Sequence, residues 1–325
     1  MPDARKPRRV DPFLLAILAA AVVASILPAR GAAIEILAWA TKVVIFALFF
    51  LYGARLHPEE ALNGLRNWRL HLTILAFTFV VFPLVGLALG LIPDWILSPA
   101  LYAGLLYVTL CPSTVQSSIN FTSIARGNVA GAIVSASASN LLGVFLTPLL
   151  AIALMNTTGQ ATVEWVDIVD IVLQILLPFL LGQLSRRWTA GFVARHPRLK
   201  LFDQASIVLI VYAAFSAGIR EGIWSMVSWV DLAVVVGVSL VVLALLLWLT
   251  WVTARRLGFS REDAIAIQFC GTKKSLATGL PMATVLFAGQ PIGLIMLPLM
   301  IFHQAQLMAC SALASRYAGR APRSA

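Results

Sequence analysis

The chain has very few charged residues, and acidic residues are especially scarce. Of its 325 residues, 12% are charged and only 14 are Asp or Glu, whereas 60% are hydrophobic. A soluble globular protein normally has about a quarter of its residues charged. This composition excludes an ordinary soluble domain. It indicates a bundle of membrane helices, because backbone exposed to lipid must satisfy its own hydrogen bonds.

Several chemical motifs are also missing. The three cysteines, Cys111, Cys270 and Cys310, lie in apolar stretches without metal-ligand spacing, which is typical of buried thiols. Phosphate-binding glycine loops, HEXXH motifs and nucleic-acid-binding modules are absent too. These absences exclude a primary ATP-driven pump within this chain. We predict no cofactor and no metal site.

Apolar runs of about 20 residues, the length that spans a bilayer, recur along the chain. We place ten spans near 12–29, 34–52, 70–91, 98–125, 128–155, 163–184, 203–219, 229–254, 260–288 and 291–314. They divide into a first five-helix repeat (12–155) and a second (163–314), flanked by a basic N-terminus (1–11) and a tail (315–325). An odd number of helices per half inverts the second half relative to the first. The predicted fold class is therefore an all-α polytopic membrane protein with a 5+5 inverted repeat.

The net charge of +10 favours either nucleic-acid binding or a charge-sorted membrane topology. With these ten spans, 19 of the 24 Lys and Arg residues fall on the side of the N-terminus. Basic residues concentrate in cytoplasmic loops of membrane proteins. We therefore expect both termini to be cytoplasmic in a bacterial inner membrane, with the lipid bilayer as a partner and no nucleic acid.

The fourth span of each half is interrupted by polar, turn-forming residues. In the first half the interruption is "CPSTVQSS" (Cys111 to Ser118), and in the second it is "CGTKKS" (Cys270 to Ser275). Pro112 removes a backbone donor and Gly271 weakens its helix. Each interruption alone could be a simple kink. Paired interruptions at corresponding positions indicate the midplane site of a transporter, where two broken helices cross.

The stretch from Cys111 to Leu150 resembles the fourth and fifth spans of the bile acid:sodium symporter family. Ala125-Arg126-Gly127-Asn128 and Thr147-Pro148-Leu149 stand where that family has an Ala-Arg-Gly-Asp turn and a Thr-Pro-Leu ending. The resemblance covers the whole chain and is closest to a divergent bacterial branch that includes the orphan seventh human member. It implies a core domain with crossed, broken helices 4 and 9, a panel domain, and alternating access between them.

The chain departs from this family at the sodium ligands. Phe269 stands where the family has a ninth-span glutamate, Lys273 replaces a glutamine and Lys274 replaces an asparagine. Sodium prefers hard oxygen ligands, and an ammonium in the site would repel it. We therefore expect transport to be independent of sodium, with protons as the alternative coupling ion.

The resemblance and the interruptions together give two sets of candidate residues. The predicted ion-site or crossover residues are Thr78, Ser113, Ser117, Ser118, Ser135, Thr272 and Lys273. The predicted substrate-binding residues are Thr114, Gln116, Lys274, Ser275 and the His303-Gln304 pair, which matches a His-Asn pair of the family. His303 could equally be a core histidine. The predicted substrate is a small or amphipathic organic anion.

Two adjacent lysines in an apolar span need neutralising partners, because a charge near the bilayer centre is costly. The C-terminal carbonyls of the half-helix before Lys273, deprotonation favoured by desolvation, or a bound anion could each serve. We expect Lys273 to point into the crossover in place of sodium, and Lys274 to face the cavity and contact the substrate. Alternatively, both lysines are structural cations that stabilise the broken helices. Lys42, a third cation within a span, is expected to snorkel towards the membrane surface.

Two other functional classes are alternatives to a transporter, namely an intramembrane enzyme and a regulatory or channel-like protein. An intramembrane enzyme could use Lys274-Ser275 as a serine–lysine pair, but neighbouring residues on one element rarely face each other, and no oxyanion-hole glycines accompany them. A regulatory or channel-like protein that influences ion homeostasis is the stronger alternative. Solute-dependent counterflow in liposomes would favour the carrier, whereas a unitary current would favour the channel.

Overall fold

The computed structural model describes residues 12–55, 67–156, 169, 172–220, 222 and 227–320, and these residues form helices and connecting turns without any β-strand. In chain order the helices are α1 (Pro12–Ile26), α2 (Ala32–Arg55), α3 (Trp68–Leu89), α4 (Pro99–Leu110), α5 (Val115–Ile124), α6 (Val129–Met155), α7 (Val172–Leu184), α8 (Arg186–Arg195), α9 (Leu199–Arg220), α10 (Trp229–Arg256), α11 (Arg261–Thr272), α12 (Leu276–Leu286) and α13 (Ile292–Arg320). Helices α3, α6 and α7 each contain one π-helical turn, at Phe77–Val81, Ala151–Met155 and Val172–Leu176.

Six helices in the described part of the chain are long and apolar enough to cross a membrane, namely α2, α3, α6, α9, α10 and α13. Shorter apolar helices accompany them, including α4 and α7. Large apolar side chains such as Trp39, Val43 and Trp248 are exposed on the outside of the bundle. This pattern is expected for a surface that faces lipid instead of water.

Both predicted interruptions are present. Residues 111–114 are extended between α4 and α5, and residues 273–275 are extended between α11 and α12. Gly271 itself remains helical at the end of α11, so the second break begins two residues later than expected. A single glycine lowers helix stability without ending the helix, and the chain leaves helical geometry only at Lys273, where ψ is 148°.

Other boundaries differ modestly from the sequence-based expectation. Helix α9 begins four residues before the predicted start of the seventh span, and α8 occupies a predicted cytoplasmic loop. The predicted N-terminal segment 1–11, residues 157–164 of the join between the repeats, the start of the sixth span and the last five residues of the tail lie outside the described residues.

A glycine lets α6 approach the first break closely. A Cβ atom on Gly143 would lie 2.5 Å from the Cβ atom of Pro112, which is closer than side-chain atoms can pack. The missing side chain therefore allows α6 to bring its hydroxyl groups against the extended residues between α4 and α5.

Candidate functional site

The break between α4 and α5 leaves backbone groups without helical hydrogen bonds, and hydroxyl groups of α6 bond to these groups instead. The Ser113 N–H donates to Ser139 Oγ at 3.0 Å, and Thr147 Oγ1 donates to the Leu110 carbonyl at 2.8 Å. All these residues are buried. Because these backbone groups are buried inside the protein, the break depends on the hydroxyl groups of α6.

The second broken helix is held by the side chain of Gln306 in α13. Gln306 Oε1 accepts from the Lys274 N–H at 2.8 Å, and Gln306 Nε2 donates to the Lys274 carbonyl at 2.8 Å. Ser275 then begins α12, since its Oγ accepts from the Thr278 N–H at 3.2 Å. One buried amide thus replaces both backbone hydrogen bonds that the extended residue lost.

The two breaks are bonded directly to each other. The Ser275 N–H donates to the Pro112 carbonyl at 2.8 Å, and Ser113 Oγ donates to the Cys270 carbonyl at 2.7 Å. The hydroxyl of Ser118 lies 3.4 Å from the Phe269 carbonyl. The two polar clusters identified in the sequence therefore meet in the interior of the protein.

The ammonium of Lys274 lies at the centre of this crossing. Its Nζ donates to the carbonyls of Thr78, Thr109 and Cys111 at 2.9, 2.7 and 2.8 Å. It also lies 4.1 Å from the centroid of the Phe82 ring. We call these three carbonyls the carbonyl cradle. The side chain of Lys274 is fully buried.

Local sequence explains why these carbonyls are available. In a π-helical turn a carbonyl accepts from the residue five positions later. For Thr78 that residue is Pro83, which has no N–H. The N–H that would bond Thr109 in a continuous helix belongs to Ser113, and it donates to Ser139 instead. The cradle is therefore formed by carbonyls that lost their helical donors.

The cradle also matches the donors of a charged Lys274. An ammonium has three N–H donors, whereas a neutral amine has two. Three carbonyl acceptors lie within 2.9 Å, one for each donor of the charged form. The C-terminal end of α4 adds the partial negative charge of a helix terminus. Hydrogen bonding and the helix terminus therefore stabilise the charged form without a carboxylate.

Lys273 occupies a different environment on the other side of the extended segment. Its Nζ donates one hydrogen bond, to the Ser117 carbonyl at 2.8 Å. It lies 3.6 Å from the centroid of the Phe121 ring and 5.7 Å from that of Phe269. This lysine is also fully buried, but its polar contacts are fewer.

The two lysines do not lie as expected, because the ammonium among the carbonyls at the crossing is that of Lys274 and not that of Lys273. The C-terminal end of α11, just before the lysines, was one of three possible partners for an ammonium. The structure shows instead that the end of α4 holds Lys274, because an extended residue directs its side chain across the crossing rather than back along its own helix. Lys274 has no solvent-accessible surface in this conformation, so a role in contacting substrate remains a prediction.

The predicted residue His303 joins the support of the second break. Gln306 Nε2, which can only donate, lies 2.8 Å from His303 Nδ1. Reversing the amide would leave the Lys274 N–H facing a second donor. We therefore assign Nδ1 as the acceptor of the 2.8 Å contact, in preference to a donor in its longer, 3.3 Å contact with the Lys274 carbonyl. His303 is then the neutral tautomer with its proton on Nε2. Gln304, its neighbour, is half-buried.

The remaining predicted residues differ in their exposure and in their hydrogen-bond partners. Thr114 and Ser117 share a hydroxyl contact of 2.7 Å at the start of α5, whereas Gln116 is exposed. Thr272 Oγ1 donates to the Gln268 carbonyl within its own helix. Ser135 is buried one turn from Ser139.

Two residues that were not predicted from the sequence, His71 and Gln306, contact the predicted ones. Ser135 Oγ lies 2.6 Å from Nδ1 of His71, a half-buried histidine. Gln306, which holds the backbone of Lys274, was not among the predicted residues. Its spacing of three residues from His303, which puts both on one helical face, was the available signal.

Comparison with known proteins identifies the family of the chain. The sequence model of the SBF-like CPA transporter family matches residues 11–319. The chain is 51% identical over 311 residues to "Uncharacterized protein PA2026" of Pseudomonas aeruginosa, covering 95% of this chain and 93% of that protein. It is 47% identical over 312 residues to "Putative symporter YfeH" of Escherichia coli, with the same coverage. It is 30% identical over 318 residues to "Sodium/bile acid cotransporter 7-B" of Xenopus laevis, covering 94% and 91%. The chain therefore belongs to the SBF-like CPA transporter family, which contains membrane transporters and not enzymes.

Proposed function

We propose that this protein is a secondary active transporter that moves an organic anion by alternating access, with lysine ammonium groups in place of a coupling sodium ion. The observation that carries the proposal is the carbonyl cradle around Lys274 at the crossing of the two broken helices. Backbone carbonyls at half-helix ends are the ligands that coordinate coupling cations in transporters with broken helices. The names of two relatives, a symporter and a sodium/bile acid cotransporter, support the transporter class.

The proposed architecture has ten spans in two inverted repeats, residues 12–155 and 163–314. Each repeat has an interrupted fourth span, and the two interruptions exchange hydrogen bonds. The distribution of Lys and Arg supports cytoplasmic termini in a bacterial inner membrane. A crossing of this kind lets two half-helices move together relative to the other helices when access changes sides.

Sodium independence follows from the electrostatics of the cradle. A sodium ion bound by the same carbonyls would lie within a few ångströms of the Lys274 ammonium, where two positive charges repel strongly in a medium of low dielectric constant. The tethered ammonium satisfies the carbonyls permanently. Lys274 therefore serves as a cation that cannot leave the site, because it is covalently attached to the chain.

Lys273 is the better candidate for proton coupling. It has one hydrogen bond where Lys274 has three, so losing a proton costs it fewer contacts. Desolvation favours the neutral amine, and hydration in one orientation of the transport cycle would favour the ammonium. The anion is expected to bind beside the crossing, where Thr114, Gln116, Lys274, Ser275, His303 and Gln304 remain the proposed substrate residues.

The test is uptake by proteoliposomes with an imposed sodium gradient and, separately, an imposed pH gradient. Labelled 4-phenylbutyrate, a small organic anion, is a suitable first substrate. We expect counterflow that does not change when sodium is replaced by choline. Lys273→Gln should abolish the response to the pH gradient, whereas Arg187→Gln, which removes an exposed cation far from the crossing in sequence, should behave as wild type.

Strong stimulation of the wild type by a sodium gradient alone would contradict the replacement of sodium by lysine. Unitary currents in planar bilayers without counterflow would contradict the carrier and favour a channel.

A further inference from the structure

Helix α8 (Arg186–Arg195), in the predicted cytoplasmic loop between α7 and α9, lies at one end of the helix bundle. The ends of α2 and α7 are close to level, because a Cβ atom on Gly182 of α7 would lie 2.0 Å from the Phe50 carbonyl oxygen of α2. Helix α8 begins four residues after Gly182 and still packs against α2, which ends at Arg55. It therefore crosses the end of α2 instead of continuing away from the bundle.

The start of α9 lies at the same level. Asp203, in the second turn of α9, forms an ion pair with Arg55, the last residue of α2. Both α7 and α9 are apolar, and α9 is long enough to cross a membrane. The ten residues of α8 extend only about 15 Å, which is too short to span a bilayer. The helix therefore lies where membrane helices end, at the level of the lipid headgroups.

The two faces of α8 have different surroundings. Thr189, Ala190 and Val193 are half-buried. Trp188 and Phe192, one helical turn apart, are 66% and 53% exposed. Aromatic side chains are enriched at the membrane interface, where their rings lie among the headgroups. This arrangement is typical of an interfacial helix that lies in the plane of the membrane surface.

The segment that contains α8 is also strongly basic. From Arg186 to Lys200 it has five Lys and Arg residues and no acidic residue. Arg195, Arg198 and Lys200 are exposed. Among the described residues the only ion pair joins α2 to α9. These three cations therefore have no carboxylate partner in the part of the chain that the structure describes.

Their donors are available to an anion from outside the protein. Arg195 donates its Nε to the Gly191 carbonyl at 2.9 Å, which leaves the four N–H donors of its two Nη groups. Arg198 and Lys200 lie at the start of α9, where the helix dipole is positive and a cation is unfavourable without an anion nearby. The first turn of α9 contains no acidic residue. The component that would neutralise this cluster is therefore an anion.

We propose that α8 and the start of α9 form a docking surface for anionic phospholipids of the membrane. Arg195, Arg198 and Lys200 bind the headgroup phosphate, while Trp188 and Phe192 insert beside the acyl chains. We call these five residues the basic surface. A negatively charged membrane surface attracts each nearby Lys or Arg by about fivefold in affinity. The proposal concerns a lipid partner and does not depend on the transport mechanism proposed above.

Native mass spectrometry of the purified full chain tests the basic surface. The protein in neutral detergent is titrated with dioleoylphosphatidylglycerol, which is anionic, or with dioleoylphosphatidylcholine, which is zwitterionic. We expect the wild type to bind the anionic lipid at least about tenfold more tightly, because three cations contribute. The triple variant Arg195→Gln, Arg198→Gln, Lys200→Gln should lose most of this preference.

Two matched variants separate the charge from its position. Exchanging Arg and Lys at the same three positions keeps the charge and should keep the preference. The triple variant Arg255→Gln, Arg256→Gln, Arg316→Gln removes three exposed cations from the ends of α10 and α13 and should match the wild type. Inorganic phosphate at millimolar concentration should not displace the lipid, since it cannot contact the aromatic residues from within the bilayer.

Fluorescence in nanodiscs tests the insertion of the aromatic residues. Phosphatidylglycerol with brominated acyl chains quenches tryptophan at short range, and the difference between wild type and Trp188→Phe isolates the signal of Trp188. We expect that difference signal to be quenched. An unquenched signal would place Trp188 in water and contradict an interfacial helix.

Three further results would overturn the proposal. The first is equal affinity of the wild type for the two lipids, or an undiminished preference in the Arg195, Arg198 and Lys200 variant. The second is displacement of the lipid by inorganic phosphate, which would indicate a site for a soluble anion. The third is a preference that arises only when Glu59 and Glu60 are changed to Gln, because acidic residues of the chain itself would then occupy the surface in the wild type.

Discussion

The Lys274 ammonium donates to the carbonyl of Cys111, 2.8 Å away. A residue of the second broken helix therefore caps the C-terminal end of α4 in the first. The relationship is reciprocal, since Ser113 beside Cys111 donates to the Cys270 carbonyl on the opposite break. Each interruption therefore supplies the donor that the other lacks. Removing either donor should affect both helices.

Lys274→Met should destabilise the protein markedly. The variant keeps an unbranched side chain one atom shorter but leaves three buried carbonyls without donors, each of which costs roughly 1–3 kcal/mol. We expect the Tm of the purified protein to fall by at least about 5 °C. Lys273→Met is the matched control, because it removes one hydrogen bond and should lower the Tm less. Equal effects of the two variants would contradict the importance assigned to the cradle.

Gln306→Leu should also be destabilising, because it breaks both hydrogen bonds to the backbone of Lys274 in the second break. The expected loss is about 2–3 kcal/mol, measured by chemical or thermal unfolding. Gln304→Leu changes a half-buried amide two residues away and should cost less. If Gln306→Leu were as stable as Gln304→Leu, the extended segment would not depend on the α13 amide.

Variants of His303 test the tautomer that we assigned from its contact with the Gln306 amide. His303→Asn keeps an acceptor close to the position of Nδ1, whereas His303→Leu removes it from the 2.8 Å contact with Gln306. We expect the Asn variant to retain more stability than the Leu variant. In a spectrum of histidine labelled with ¹⁵N, wild-type His303 should show the neutral form with the proton on Nε2. A signal from the form protonated on both nitrogens would contradict the assignment.

The sequence was sufficient to predict the two interruptions and their meeting, because Pro112 and the hydroxyl-rich "CPSTVQSS" and "CGTKKS" segments are local signals. It was not sufficient to predict which carbonyls hold Lys274. That outcome depends on a π-helical turn in α3 and on the direction of an extended side chain, and neither leaves a periodic pattern.

Close packing between α2 and α7 gives a test of the fold that is independent of the site. A Cβ atom on Gly182 would lie 2.0 Å from the Phe50 carbonyl oxygen, and one on Gly53 would lie 2.0 Å from that of Phe179. Gly182→Ala should therefore push the two helices apart and lower the Tm by several degrees. Gly237→Ala, at a helical position with open space around it, should leave the Tm unchanged or raise it, because alanine favours a helix by roughly 0.5–1 kcal/mol. Equal tolerance of both variants would argue against this helix pairing.

Shortening Lys274 should convert the tethered cation into a site for a free one. In Lys274→Ala the three carbonyls of Thr78, Thr109 and Cys111 remain converged on a space that the ammonium has left. Carbonyl oxygens are hard ligands that suit small cations, and a cation that binds only the folded state stabilises it in proportion to its concentration. We expect the Tm of Lys274→Ala to rise when choline chloride is replaced by sodium chloride at equal ionic strength, while the wild type does not respond. Lys273→Ala should not respond either, because Lys273 donates to one carbonyl only. A sodium-dependent Tm in the wild type, or none in Lys274→Ala when that variant is folded, would contradict the view that Lys274 occupies the place of a coupling ion.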